Sequence, residues 1–188
     1  MWATLTGAGT VASAAVRTLV LGGARSGKSA HAEGLLDVDG PVRYVATARM
    51  RDGDDDWSQR IAEHRQRRPP HWETVEDQDL VALLRRPDDG IPVLVDDLGT
   101  WLSTEFDDAT AWEAPRGTIT PRCEELVAAV AASRARLVLV SPEVGLGVVP
   151  PTSSGRLFRD EIGTLNARLA QECDVVVLLI AGVSLRLR

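Results

Sequence analysis

The stretch VLGGARSGKSAHAE, residues 20–33, runs from the end of an apolar strand through a glycine-rich turn into the polar opening of a helix. Gly22, Gly27, Lys28 and Ser29 stand at the spacing G-x-x-x-x-G-K-[ST], in which successive backbone N–H groups wrap the phosphates of a nucleotide. The context matches the motif. Arg17 to Leu21 reads as a buried strand, and Ser29 to Leu36 as a helix whose positive dipole end faces the loop. The chain has 21 lysine and arginine residues, and Lys28 is its only lysine. A protein that otherwise uses arginine keeps a compact ammonium where a point charge must fit among phosphates.

Around this loop the chain has the rhythm of an α/β protein. Apolar, β-branched runs recur at residues 43–46, 91–95, 137–140 and 175–180, and the segments between them carry turn residues or helical periodicity. Helices are predicted over 57–67, 79–86, 120–133 and 155–172, with SLRLR at the C-terminus as an edge strand. The predicted fold is a mostly parallel sheet flanked by helices, with ligands at the carboxyl ends of the strands. Residues 103–117, STEFDDATAWEAPRG, are acidic and lack a clear period; they read as a surface loop or insertion between the third strand and the next long helix. Residues 1–16 read as a loosely ordered extension, and 17–188 as a single nucleotide-binding catalytic domain.

Composition narrows the function classes. A net charge of −6 argues against a dedicated nucleic-acid binder. Cys123 and Cys173 form no C-x-x-C pattern, so neither a zinc site nor a disulfide framework is expected. No apolar run approaches membrane-spanning length, and the N-terminus lacks the features of a signal peptide; a cytoplasmic protein is the expectation.

Three further stretches carry candidate chemistry. Asp96 and Asp97 follow the run IPVLV, where a carboxylate together with Ser29 would reach Mg²⁺ beside the phosphates; Asp96, which follows the strand directly, is the better placed. In RIAEHRQRRPPHWETVE, residues 60–76, His64 stands among Arg60, Arg65, Arg67 and Arg68, which suits a neutral imidazole acting as base or nucleophile beside bound phosphate. VSPEVGLGVVP, residues 140–150, places two glycines after Glu143 at another strand end. The phosphate loop alone is compatible with a kinase, a nucleotidyltransferase or a regulatory nucleotide-binding module. A Ras-like switch is excluded, because its guanine-reading N-K-x-D needs a second lysine.

Together, LVLGGARSGKSAHAE, YVATA, RIAEHRQRRPPHWETVE, VLVDDLGTWL, EVGLGVVP and GRLFRDEIGTLNARLAQECDVVVLLIAG resemble one family, the adenosylcobinamide kinase/adenosylcobinamide-phosphate guanylyltransferases of cobalamin biosynthesis. The resemblance implies a RecA-like fold, a trimer, and two reactions. ATP or GTP phosphorylates the aminopropanol hydroxyl of adenosylcobinamide; GMP carried on a histidine is then joined to adenosylcobinamide phosphate, giving adenosylcobinamide-GDP. By position in the motif that histidine is His64. The resemblance further implies that Gly22, Gly23, Ala24, Arg25, Ser26, Gly27, Lys28 and Ser29 hold the triphosphate. Thr47, Ala48, Arg49, Arg65, Gln66, Arg67 and Arg68 line the nucleotide, Glu76 faces guanine, and Asp96 is the strand-end acid. Asp97 and Pro142 depart from the residues the family often has there.

Overall fold

A computed structural model describes residues 16–49 and 68–188. The strands are β1 (Arg17–Gly22), β2 (Arg43–Ala46), β3 (Glu73–Val75), β4 (Val93–Asp96), β5 (Leu137–Pro142), β6 (Val175–Ile180) and β7 (Val183–Arg186). They form one sheet in the order β3-β2-β4-β5-β1-β6-β7. All neighbours are parallel except the β6–β7 pair. The described helices are α1 (Lys28–Gly34), α2 (Leu80–Leu84), α3 (Leu98–Asp108), α4 (Thr120–Ala132) and α5 (Ser153–Glu172). Among the described residues no helix is long and apolar enough to cross a membrane.

The central strands read as continuous apolar runs because both of their faces are covered. Their side chains divide by the two-residue strand period. Leu19 and Leu21 of β1, Val93 and Val95 of β4, and Leu137 and Leu139 of β5 enter the larger core, with Leu102, Leu126, Leu165 and other residues of α2 to α5. Val20, Leu94, Val138, Val140 and Tyr44 enter the smaller core on the opposite face, with Ala32 of α1, Leu36 and Trp72. Arg122 of α4 ties three helices together through ion pairs to Asp79, Glu105 and Glu125.

The fold class agrees with the sequence reading; two segments differ from it. The short edge strand β3 had no counterpart among the predicted strands, its three residues being too few to show a period. Residues 103–108 are the second half of α3, where a surface loop is expected from the acidic composition. Leu98, Trp101, Leu102 and Phe106 recur at helical spacing and are buried, the inner stripe of an amphipathic helix; Asp107 and Asp108 at its end are exposed, while Glu105 is half-buried in its ion pair with Arg122. Trp112 then stacks on Phe106 with ring centroids 4.6 Å apart and donates its indole N–H to Asp107 at 2.6 Å, so the turn after α3 is packed as well. The predicted extension falls outside the described residues up to position 15, and so does the predicted helix at 57–67.

Candidate functional site

The loop between β1 and α1 is held at its base on both sides. The Glu143 N–H donates to the Gly22 carbonyl at 3.1 Å, and the Gly182 N–H donates to the Ser26 carbonyl at 3.1 Å. Two of its glycines are required by geometry. Gly27 has φ of 89°, a left-handed conformation, and a Cβ on Gly22 would lie 2.4 Å from Ser26 Oγ. Gly23 and Ala24 complete the turn, with Arg25 also at positive φ (58°). Ser26 is 6% exposed, and its Oγ has no hydrogen-bond partner among the described residues.

Strand order then brings the second half of the site to the loop. Asp96 ends β4, and only β5 separates that strand from β1. Ser29 Oγ donates to Asp96 Oδ1 at 3.1 Å, uniting the two oxygens that the sequence assigns to a hard cation. Tyr44 donates its hydroxyl to the other carboxylate oxygen, Oδ2, at 2.5 Å. Burial first, and then the charge of Asp96, holds the Tyr44 phenol above its ordinary range, so it remains a donor.

Asp97 plays a different part. Its carboxylate accepts from the Thr100 N–H at 2.9 Å and caps α3. Its carbonyl accepts from Thr47 Oγ1 at 2.7 Å and from Thr100 Oγ1 at 2.9 Å. Burial, followed by the neighbouring charge of Asp96, pushes the Asp97 carboxyl above the usual carboxylate range, against which the charge of Lys28 acts. Pro142, at the end of β5, offers its carbonyl to Asn166 Nδ2 at 3.0 Å, and the same Asn166 accepts from Ser141 at 2.6 Å.

The remaining site expectations spread along the same carboxyl edge. Thr47, Ala48 and Arg49 leave β2 beside Asp96, the Thr47 N–H donating to the Asp96 carbonyl at 3.2 Å. Arg49 forms a two-pronged ion pair with Asp108 of α3 at 2.6 and 2.9 Å. Glu76 follows β3 and is exposed. Arg68 sits over the Tyr44 ring, its guanidinium carbon 3.5 Å from the ring centroid. The predicted His64, Arg65, Gln66 and Arg67 lie outside the described residues.

Tyr44 and Thr100 were not among the residues expected at the site. A signal for Tyr44 existed, because it is the only tyrosine of the chain and stands in a short strand that ends at the site. Among the described residues no group of three or more histidine, cysteine, aspartate or glutamate side chains is arranged to hold a metal. A cation sharing phosphate oxygens and water with one hydroxyl and one carboxylate needs no such group.

The likeness to known proteins agrees with this geometry. Among solved structures, an ATPase of the type III secretion system of pathogenic bacteria superposes with a TM-score of 0.55 at 13% identity, over 89% of this chain. This chain spans 51% of that one, and the likeness is one of fold alone. In sequence, the chain is 41% identical over 178 residues to the bifunctional adenosylcobalamin biosynthesis protein CobP of Pseudomonas aeruginosa, covering 92% of this chain and 98% of the relative. It is 38% identical over 180 residues to the protein CobU of Escherichia coli, which carries the same description, covering 90% and 98%. With residues 18–187 matching the family as a whole, the chain belongs to the cobinamide kinase/cobinamide phosphate guanyltransferase family.

Proposed function

We propose that the protein phosphorylates adenosylcobinamide on its aminopropanol hydroxyl and then guanylylates the product to adenosylcobinamide-GDP. The observation that carries this reading is the Ser29–Asp96 pair set against a complete phosphate loop in a chain of this family. The loop N–H groups and Lys28 hold the triphosphate of GTP or ATP, and the nucleophilic hydroxyl is brought in line with the terminal phosphorus. Ser29 and Asp96 suit Mg²⁺, which when bound neutralises charge developing on the phosphate oxygens. Asp96 also orients the Ser29 hydroxyl.

The second reaction needs a nucleophile, and His64 fills that role. Its neutral imidazole nitrogen attacks the α-phosphorus of GTP, forming a P–N bond as the bond to the bridging oxygen breaks and pyrophosphate leaves. A phosphate oxygen of adenosylcobinamide phosphate next attacks the same phosphorus, and the P–N bond breaks to restore His64. Arg49, Arg65, Arg67 and Arg68, with Gln66, Thr47 and Ala48, line the nucleotide, while Glu76 accepts from the ring N–H and exocyclic amine of guanine. Residues 17–188 act as one catalytic domain in the cytoplasm, residues 1–16 take no part in the chemistry, and the chain assembles as a trimer.

The test is His64→Ala with α-labelled GTP. The variant is expected to retain kinase activity, accumulate adenosylcobinamide phosphate and take up no label. The label on the unaltered protein is expected to be released by mild acid and to resist base. Undiminished labelling of His64→Ala would place the nucleophile elsewhere, with His71 the next candidate.

A further inference from the structure

Tyr44 has a more specific place in the site than a core aromatic. It is 0% exposed, yet its hydroxyl ends on the carboxylate that faces the phosphate loop. Asp96 is thereby held by two hydroxyl groups, one on each oxygen: Tyr44 on Oδ2 and Ser29 on Oδ1. The Tyr44 ring cannot easily turn away. Its strand is hydrogen-bonded to β4 on one side and β3 on the other, and Arg68 covers its face. The guanidinium rests on the ring, and among the described residues its Nε and Nη1 atoms are buried without a hydrogen-bond partner.

A carboxylate free to rotate about its χ2 bond presents its oxygens over a broad range, since terminal sp³–sp² torsions have no sharp minimum. With one oxygen tied to a buried phenol, that rotation is suppressed and the other oxygen keeps its direction. Groups that orient a ligating carboxylate in this way govern ion affinity without touching the ion.

We infer that Tyr44 is a positioning residue, whose buried hydroxyl fixes the plane of Asp96 so that Oδ1 stays turned toward Ser29 and the phosphate loop. This rests on the reading in which Ser29 and Asp96 serve a nucleotide-bound Mg²⁺. The aromatic ring alone supplies the packing and the seat for Arg68, so Tyr44→Phe deletes the positioning group and leaves both of those in place.

The experiment is calorimetric titration of GTP into the full chain over a range of Mg²⁺ concentrations and in EDTA, for the unaltered protein, Tyr44→Phe and Asp96→Asn. Tyr44→Phe is expected to need about tenfold more Mg²⁺ to reach half of the metal-dependent gain in GTP affinity, the lower end of what loss of an orienting partner does. Its affinity in EDTA is expected to stay within about twofold of the unaltered protein, and saturating Mg²⁺ to restore kinase kcat, a rescue that general loosening of the core would not give. An unshifted Mg²⁺ midpoint in Tyr44→Phe beside a shifted one in Asp96→Asn overturns the role of Tyr44 and leaves the Ser29–Asp96 reading standing. An unshifted midpoint in Asp96→Asn removes that reading, and the role of Tyr44 with it. Failure of excess Mg²⁺ to restore kcat would show that the hydroxyl matters for packing instead.

Discussion

Ser29 of α1 and Asp96 of β4 are 67 residues apart in sequence and joined by a 3.1 Å hydrogen bond from Oγ to Oδ1. If this pair serves the nucleotide's metal ion, Ser29→Ala removes an oxygen ligand while costing the fold only one partly exposed hydrogen bond, about 1 kcal/mol. The expected result is a large fall in phosphoryl transfer with a thermal midpoint lowered by no more than a few degrees. Steady-state kinetics and a melting curve on the same sample check it; normal turnover in Ser29→Ala would count against the assignment.

Lys28→Ala should abolish phosphoryl and guanylyl transfer together, because both place a triphosphate in the same loop. Removing one charge-assisted contact made in the transition state costs roughly 3–4 kcal/mol, a loss of about 10²–10³ in rate. Separate assays of adenosylcobinamide phosphorylation and of GMP transfer to its phosphate decide the matter. Survival of either one at its normal rate would mean that the two reactions use different phosphate sites.

Glu76→Gln is expected to weaken GTP far more than ATP. The new amide can turn a donor toward guanine's own donors, and the unpaired group costs about 1–3 kcal/mol. Competition of each nucleotide against a fluorescent analogue measures the difference. Equal losses for the two bases would show that Glu76 does not read guanine.

Asp174 links the base of β6 to β1. It accepts from the Arg17 N–H at 2.9 Å and pairs with the Arg17 guanidinium at 3.4 Å. The backbone N–H first, then the guanidinium, holds its carboxyl below the usual range. For a lowered carboxyl, the stabilisation is complete above the unfolded-state value, about 3.9, and is lost as pH falls through the lower folded-state value. The difference in melting temperature between the unaltered protein and Asp174→Asn is therefore expected to be widest from about pH 5 to 7 and to close in stronger acid. Melting curves at low salt test this. A gap independent of pH would assign the loss to geometry rather than to charge.

The phosphate loop was legible in the sequence because everything it needs is local. Eight consecutive residues from Gly22 to Ser29 carry the glycines, the lysine and the hydroxyl, and their φ values and close approaches follow from residue type. The central strands were legible for a similar reason, since runs such as Leu137–Val140 suit a sheet covered on both faces. Resemblance alone suggested Glu76 as a guanine-facing carboxylate and His64 as the nucleotide-carrying histidine, which no periodicity reports. Other features depend on which strand lies beside which. Insertion of β5 between β1 and β4 brings Asp96 to Ser29, and the pairing of β2 with β4 sets Tyr44 opposite Leu94, two residues before Asp96 on the same face, from where its hydroxyl reaches the carboxylate. Composition misled at residues 103–108, where acidic side chains hide the buried stripe of Leu98, Trp101, Leu102 and Phe106. Periodicity records the faces of single elements, whereas strand order and sheet register arise from pairings between distant segments, and those pairings complete this site.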